Sequence, residues 1–388
     1  MEVLIELDDT RGAPLDDRGP PPVALSRRWR VALLLVVCTL LGGATAPARL
    51  LAQVGPPLPD RSTLLSAGPL LLVVDPGTDP PTVSAYDVAA PGRPARWRVA
   101  VPPAVGWSAE AAGDLLLITE RDQVRRVTAT TARSVRTGRP LWRRPERVYA
   151  AGDAAVGVSE VRSASEPGRR VEGEVHGVDP ASGATRWSVR VPSTAVLRVL
   201  PGSVLLVQDD GLTRLLDARD GTVRGQGLLP PADYSPDNPQ VIGGRLVLRH
   251  PVGGGVALTG YDLPTVAQRW RMPVERGELT LRPCEGLLCG QDERGRWALD
   301  AGSGALVWMW PAGARWRTVA GSRAGNGPLV LFGTAADGER NLIATAGRDG
   351  PRVRGVLPAG AADCRSAGAR LVCREGIARV TVRPFPPP

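Results

Sequence analysis

The stretch "VDPASGATRW", Val178 to Trp187, decides how this chain is read, because variants of it return at near-constant spacing. It contains an apolar residue, Asp179, a turn built on Ser182 and Gly183, and Trp187 eight residues after the Asp. An Asp side chain caps its own turn, Gly supplies the positive φ that the turn needs, and Trp carries a large flat apolar area into a neighbouring layer. The unit is a β-hairpin with an anchor.

"LDAGSGALVW" repeats it with Asp300, Gly304 and Trp308 at identical offsets. "YDLPTVAQRW" keeps Asp262 and Trp270 with Val266 at the Gly position, and "LDARDGTVRG" keeps Asp217 and Gly221 with Gly225 where Trp stands elsewhere. "YDVAAPGRPARW" holds Asp87 and Trp97 with two extra residues between them. "RTGRPLW" gives Gly138 and Trp142 without the Asp, and "GRDGPRVR" retains Gly350, with Arg354 at the Trp position. Positions 97, 142, 187, 225, 270, 308 and 354 are separated by 45, 45, 38, 45, 38 and 46 residues. A period near 40 with short strands marks a β-propeller.

Eight apolar runs, starting near Gly68, Gly113, Gly152, Gly202, Gly244, Gly286, Gly327 and Ala369, read as strands buried on both faces. Eight runs predict eight blades, and seven Trp positions leave seven as the alternative. The last unit stops after its second strong strand, so it stays short or borrows a strand from near residues 49 to 66. The propeller is expected over 61–385. Replacing Trp187 by Ala is expected to cost about 3 to 5 kcal/mol if the ring is buried between blades.

Residues 1–28 read as a flexible cytoplasmic tail, in which Val3 to Leu7 is a five-residue apolar run. Residues 31–48 carry no charge and follow Arg27, Arg28 and Arg30. This predicts a single membrane helix over 29–48 with the propeller outside the cell; cleavage after a signal peptide is the alternative. Residues 49–60 read as a Pro-rich linker. Cys284 with Cys289, and Cys364 with Cys373, stand at equivalent places in two repeats and predict two local disulfides in an oxidising compartment, while Cys38 falls within the apolar segment.

The net charge of +9 rests on Arg alone, because the chain has no Lys, and the Arg residues are scattered through every repeat rather than clustered as a nucleic-acid footprint. The only histidines, His176 and His250, are far apart in sequence, so no metal centre or catalytic residue is nominated. "QDDG" at 208–211 and "DER" at 292–294 are acidic turns of a kind that can hold Ca²⁺ but more often face solvent.

The Asp–Gly–Trp pattern resembles the tryptophan-docking repeat of the pyrroloquinoline-quinone-like β-propellers. The resemblance implies that Trp97, Trp142, Trp187, Trp270 and Trp308 hold blade to blade with the turns at Asp179/Gly183, Asp217/Gly221, Asp262 and Asp300/Gly304. Enzymes of that family bind the quinone with Ca²⁺, a base carboxylate and, in many members, a disulfide between adjacent cysteines. This chain has no adjacent Cys pair and no CxxCH haem motif. The expectation is therefore a membrane-tethered binding or scaffolding module for a protein, peptide or glycan outside the cell. A quinone- and Ca²⁺-dependent dehydrogenase is the alternative.

Overall fold

The computed structural model describes residues 52–161, 172–192, 195–234, 238–274, 279–311, 316–319, 327–334, 340–367, 370–376 and 379–385. The segment expected to span a membrane, 29–48, the tail before it and Cys38 lie outside these residues. Among the described residues no helix is long and apolar enough to cross a membrane.

Eight four-stranded antiparallel sheets form an eight-bladed β-propeller. Blades 1 to 7 are simple meanders over 63–100, 106–144, 147–192, 196–228, 240–274, 280–311 and 316–357. Blade 8 takes three strands from 361–384, and its outermost strand is Gln53–Pro57, paired antiparallel with Arg379–Pro384. The ring thus closes with the borrowed strand, and part of the segment expected to be a linker belongs to the propeller. The sequence had too little to mark this strand, since "QVGPP" carries two prolines and a glycine. An outermost strand pairs on one side only, so it tolerates Pro where a central strand would not.

The apolar runs become the second strand of each blade, as in Leu70–Asp75 and Leu115–Arg121. Period-two alternation explains why they lack polar residues. Leu70, Leu72 and Val74 pack against blade 2, while Leu71 and Val73 pack against blade 8. The core is accordingly eight apolar clusters, one at each junction between neighbouring blades.

Both disulfides cross the hairpin between the first and second strands of a blade: Cys284–Cys289 in blade 6 and Cys364–Cys373 in blade 8. Their sequence separations are 5 and 9 residues. Loop-closure entropy then assigns about 2 and about 3 kcal/mol to them respectively. Replacing each pair by Ala is expected to lower the free energy of urea unfolding in that order, with the blade 8 pair the more damaging.

Candidate functional site

The repeat residues meet across blade junctions. Trp97 lies flat on the turn glycine Gly138 of the next blade, where an added Cβ would fall 2.6 Å from the ring, and its Nε1 donates to the Val135 carbonyl at 2.9 Å. Trp142 on Gly183, Trp187 on Gly221 and Trp270 on Gly304 repeat the arrangement, donating to Pro180, Ala218 and Ala301 at 2.9, 3.1 and 2.9 Å. Trp308 donates to Gly347 at 2.8 Å and faces Gly350. Each such glycine has positive φ, so it supplies both the turn and the gap for the ring.

The Asp side chains organise these turns. Asp179 Oδ1 accepts from the Ala181 and Ser182 amides at 2.9 and 2.8 Å, and Asp300 accepts from Gly302 and Ser303 at 3.1 and 2.9 Å. In the second blade Ser134 stands where Asp is missing, its hydroxyl accepting from Arg136 at 3.2 Å and its carbonyl from Gly138 at 2.8 Å. A further recurring residue escaped the sequence reading. The Arg just before the Trp position reaches back to the turn Asp, in Arg96–Asp87, Arg186–Asp179, Arg224–Asp217 and Arg269–Asp262. Its signal was the repeated "RW" of "ARW", "TRW" and "QRW".

Hydrogen bonds to the turn hold the Asp179, Asp217 and Asp300 carboxyls below the usual carboxylate range. A carboxyl whose folded pKa is depressed stabilises the fold fully above its unfolded value, and that contribution is lost as the pH falls through the folded value. Urea unfolding midpoints are therefore expected to stay flat with respect to these groups near pH 5 and to decline below about pH 4. An Asp300→Asn variant should decline less steeply; an unchanged slope would remove the turn carboxylates from the account.

Two repeat positions that depart from the pattern meet each other. Gly225 replaces Trp in blade 4 and Val266 replaces the turn Gly in blade 5. A Cβ on Gly225 would lie 1.7 Å from the Pro264 carbonyl oxygen, and one on Gly227 would lie 2.5 Å from Val266 Cβ. The turn of blade 5 thus fills a glycine groove on blade 4, the reverse of a ring filling a glycine gap. Val266 keeps the turn, with φ of 52° and its amide donating to the Asp262 carbonyl at 2.7 Å. Arg354 has another reason for not being Trp. The outer strand of blade 8 comes from residues 53–57, so no such turn exists there to receive a ring.

His176 is buried over Gly157 and within 2.9 Å of Glu146 Oε1 and 3.1 Å of Arg144 Nη2. His250 Nε2 lies 2.8 Å from Thr259 Oγ1, and burial pushes its pKa down. Asp210 caps its turn by accepting from Leu212 at 2.9 Å, and Asp292 accepts from Trp297 Nε1 at 2.9 Å and pairs with Arg294. Among the described residues no three His, Cys, Asp or Glu side chains gather closely enough to hold a metal ion.

The innermost strands carry the polar chemistry. On blades 2 and 3, Arg147 lies 4.4 Å over the Tyr149 ring and 4.0 Å from Glu110 Oε1, while the Ala150 amide donates to Glu110 Oε2 at 3.4 Å. Burial raises the pKa of Glu110 and of Tyr149. On the far side, blades 6 and 7 enclose a cleft of about 270 Å³ lined by Thr280, Arg282, Gln291, Arg296, Trp316 and Arg317, with Cys289 and Leu329 deeper. The donor set of a quinone site, a carboxylate-bound Ca²⁺ beside a base carboxylate, does not fit either place: the first gathers one carboxylate against arginine, and the described lining of the second has none.

No protein-family model matches the sequence, and no curated protein does. The fold, by contrast, is shared with solved structures. BamB from Moraxella catarrhalis is similar at 16% identity and a TM-score of 0.51, over 88% of this chain and 98% of that one. The computationally designed Ika8 protein gives 11% identity and a TM-score of 0.54 over 86% and 99%. The C-terminal WD40 domain of Sif2 gives 9% identity and 0.50 over 88% and 100%. At these identities the likeness is one of fold, and it spans a natural propeller, a designed one and a WD40 ring.

Proposed function

We propose that this chain is a membrane-tethered, extracytoplasmic platform that binds and scaffolds a partner protein without catalysing a reaction on it. The observation that carries this reading is the outer strand of blade 6, Leu306–Pro311, "LVWMWP". An outer strand leaves one row of backbone N–H and C=O groups unpaired within its sheet, and proteins guard such edges with charge or proline. The outer strands of blades 1, 2, 3, 4, 5 and 7 all contain Arg, and that of blade 8 contains Pro56 and Pro57. The blade 6 strand has no charged residue, its one proline is the terminal Pro311, and before it Leu306, Val307 and Met309 are exposed at 57%, 42% and 46%. Val307 occupies the place that an Asp-pairing Arg takes in blades 3, 4 and 5. An uncharged, apolar edge from Leu306 to Trp310, on a ring whose other outer strands carry Arg or paired prolines, suits addition of an extended segment from a partner.

The tether and the location are part of the proposal, supported by the uncharged run 31–48 with arginines before it and by two disulfides. The test is site-specific photocrosslinking in cells through residue 309, with residue 190 on the Arg-bearing outer strand of blade 3 as the reference. A discrete protein adduct through 309 and none through 190 is expected; equal patterns, or none, would overturn the platform reading. Stoichiometric binding of pyrroloquinoline quinone with Ca²⁺, followed by dye reduction with an alcohol or sugar, would instead establish an enzyme.

A further inference from the structure

The face that blade 6 turns toward blade 7 is built from alternate residues of its strands. Thr280, Gln291 and Arg296 form one cross-strand row, and Arg282 and Cys289 form the next. Deeper along the same face Cys284, Leu287, Cys289 and Ala298 pack against Leu329, Leu331, Ala344 and Ala346 of blade 7. Beyond this apolar contact lies the cleft of about 270 Å³, with Trp316 and Arg317 on its far wall.

Three guanidinium groups line it, and its described lining contains no carboxylate. Arg296 Nη2 donates to the Trp316 carbonyl at 2.7 Å, and Arg317 stacks 4.5 Å over Phe332. None of Arg282, Arg296 and Arg317 forms a salt bridge with a described carboxylate, whereas the turn arginines of blades 1, 3, 4 and 5 each hold one. Burial, and then the charge of Arg282, pull the Arg296 guanidinium pKa down. Gathering like charges in a partly desolvated cleft is unfavourable until an anion enters, and the planar fork of Arg matches a carboxylate with paired hydrogen bonds. The Cys284–Cys289 disulfide fixes the hairpin that presents Arg282 and Gln291, so little ordering remains to be done on binding. Trp316 and Leu329 supply apolar surface for the stem of an acidic side chain.

We propose that this cleft is a recognition site for a carboxylate of an acidic peptide segment, held by Arg282, Arg296 and Arg317. The carboxylate comes from a Glu or Asp side chain or from a chain terminus. The cleft adjoins the blade 6 outer strand through Trp310, whose ring lies 5.1 Å from that of Trp316, but Met309 alternates with Trp310 and points to the opposite face of the strand, so carboxylate binding here and crosslinking through residue 309 succeed or fail independently.

The test is calorimetric titration of the full chain in detergent, at about 0.15 M salt so that diffuse surface attraction is screened. The probes are an end-blocked hexaglutamate, a hexaglutamine with a free C-terminus, and inorganic phosphate. Saturable one-to-one binding of either peptide is expected, weakened about tenfold or more by Arg282→Gln and by Arg317→Gln, the loss of one charge-assisted contact. Arg317 is exposed, so its variant keeps the fold, and Arg93→Gln in a loop of blade 1 should leave affinity unchanged. Binding of hexaglutamate identifies a side-chain source, and binding of hexaglutamine a terminal one. No binding of either peptide, an equal loss with Arg93→Gln, or Arg282-dependent binding of phosphate alone would overturn the proposal.

Discussion

Replacing Trp270 by Ala lowers the free energy of unfolding by about 3 to 5 kcal/mol, the range for truncating a buried aromatic ring. Trp270 is 9% exposed, and its ring lies between two glycines. A Cβ on Gly304 would come within 2.7 Å of it from the next blade, and one on Gly260 within 2.3 Å from the neighbouring strand. Neither glycine has a side chain to move into the space the ring vacates, so the cavity cannot collapse, and the Ala301 carbonyl loses its donor. Trp187 has the same hydrogen bond but is only half-buried, so Trp187→Ala should cost less. Equilibrium urea unfolding of the two variants checks the order, and a loss below about 1 kcal/mol for Trp270→Ala would show that docking is not what holds blades 5 and 6 together.

Gly225→Trp restores the repeat pattern and is nonetheless expected to destabilise the fold by more than about 3 kcal/mol, the upper end of ordinary overpacking. The obstacle is backbone: the Pro264 carbonyl oxygen sits 1.7 Å from where the new Cβ must go. Side chains can rotate away from an intruder, whereas this oxygen belongs to the turn that Asp262 and Val266 fix by hydrogen bonding. Adding Val266→Gly to the variant should not rescue it, because Pro264 remains. Recovery of normal stability in either the single or the double variant, read by thermal melting of the purified proteins, would mean that blade 5 can shift to accept a ring.

The sequence carried the blade architecture because docking is local chemistry at fixed offsets. An Asp, a Gly and a Trp within ten residues specify a turn, a gap and a ring that fills the gap of the next blade. Apart from the closing strand, which ring closure demanded, what it could not carry were the features that depend on two distant segments. The exchange of roles between Gly225 and Val266 looks in sequence like two independent losses of pattern. Ser134 does the work of the missing Asp through a hydroxyl and a carbonyl, which a motif search for a carboxylate passes over. The cleft joins Arg282, Arg296 and Arg317 from three strands of two blades, and only their register places three guanidiniums around one space. Glycines beneath rings in adjacent strands, Gly157 under His176 and Gly290 under Trp297, were likewise unreadable, since nothing in one strand announces the bulk of its neighbour.

The strand Gln53–Pro57 does more than complete a sheet. Tension drawn through the chain before Gln53 enters the ring at this strand, and its pairing to Arg379–Pro384 is the first set of bonds to bear the load. That pairing is short and shifts register between Val54 and Pro57, whereas the other strand pairs of blade 8 and its contacts to blade 1 are longer or apolar. Peeling it away would leave seven complete blades and a three-stranded eighth with a bare edge. The seam is therefore where a pull on the preceding segment first meets the ring, a place set by topology, and within blade 8 it is the shortest ladder.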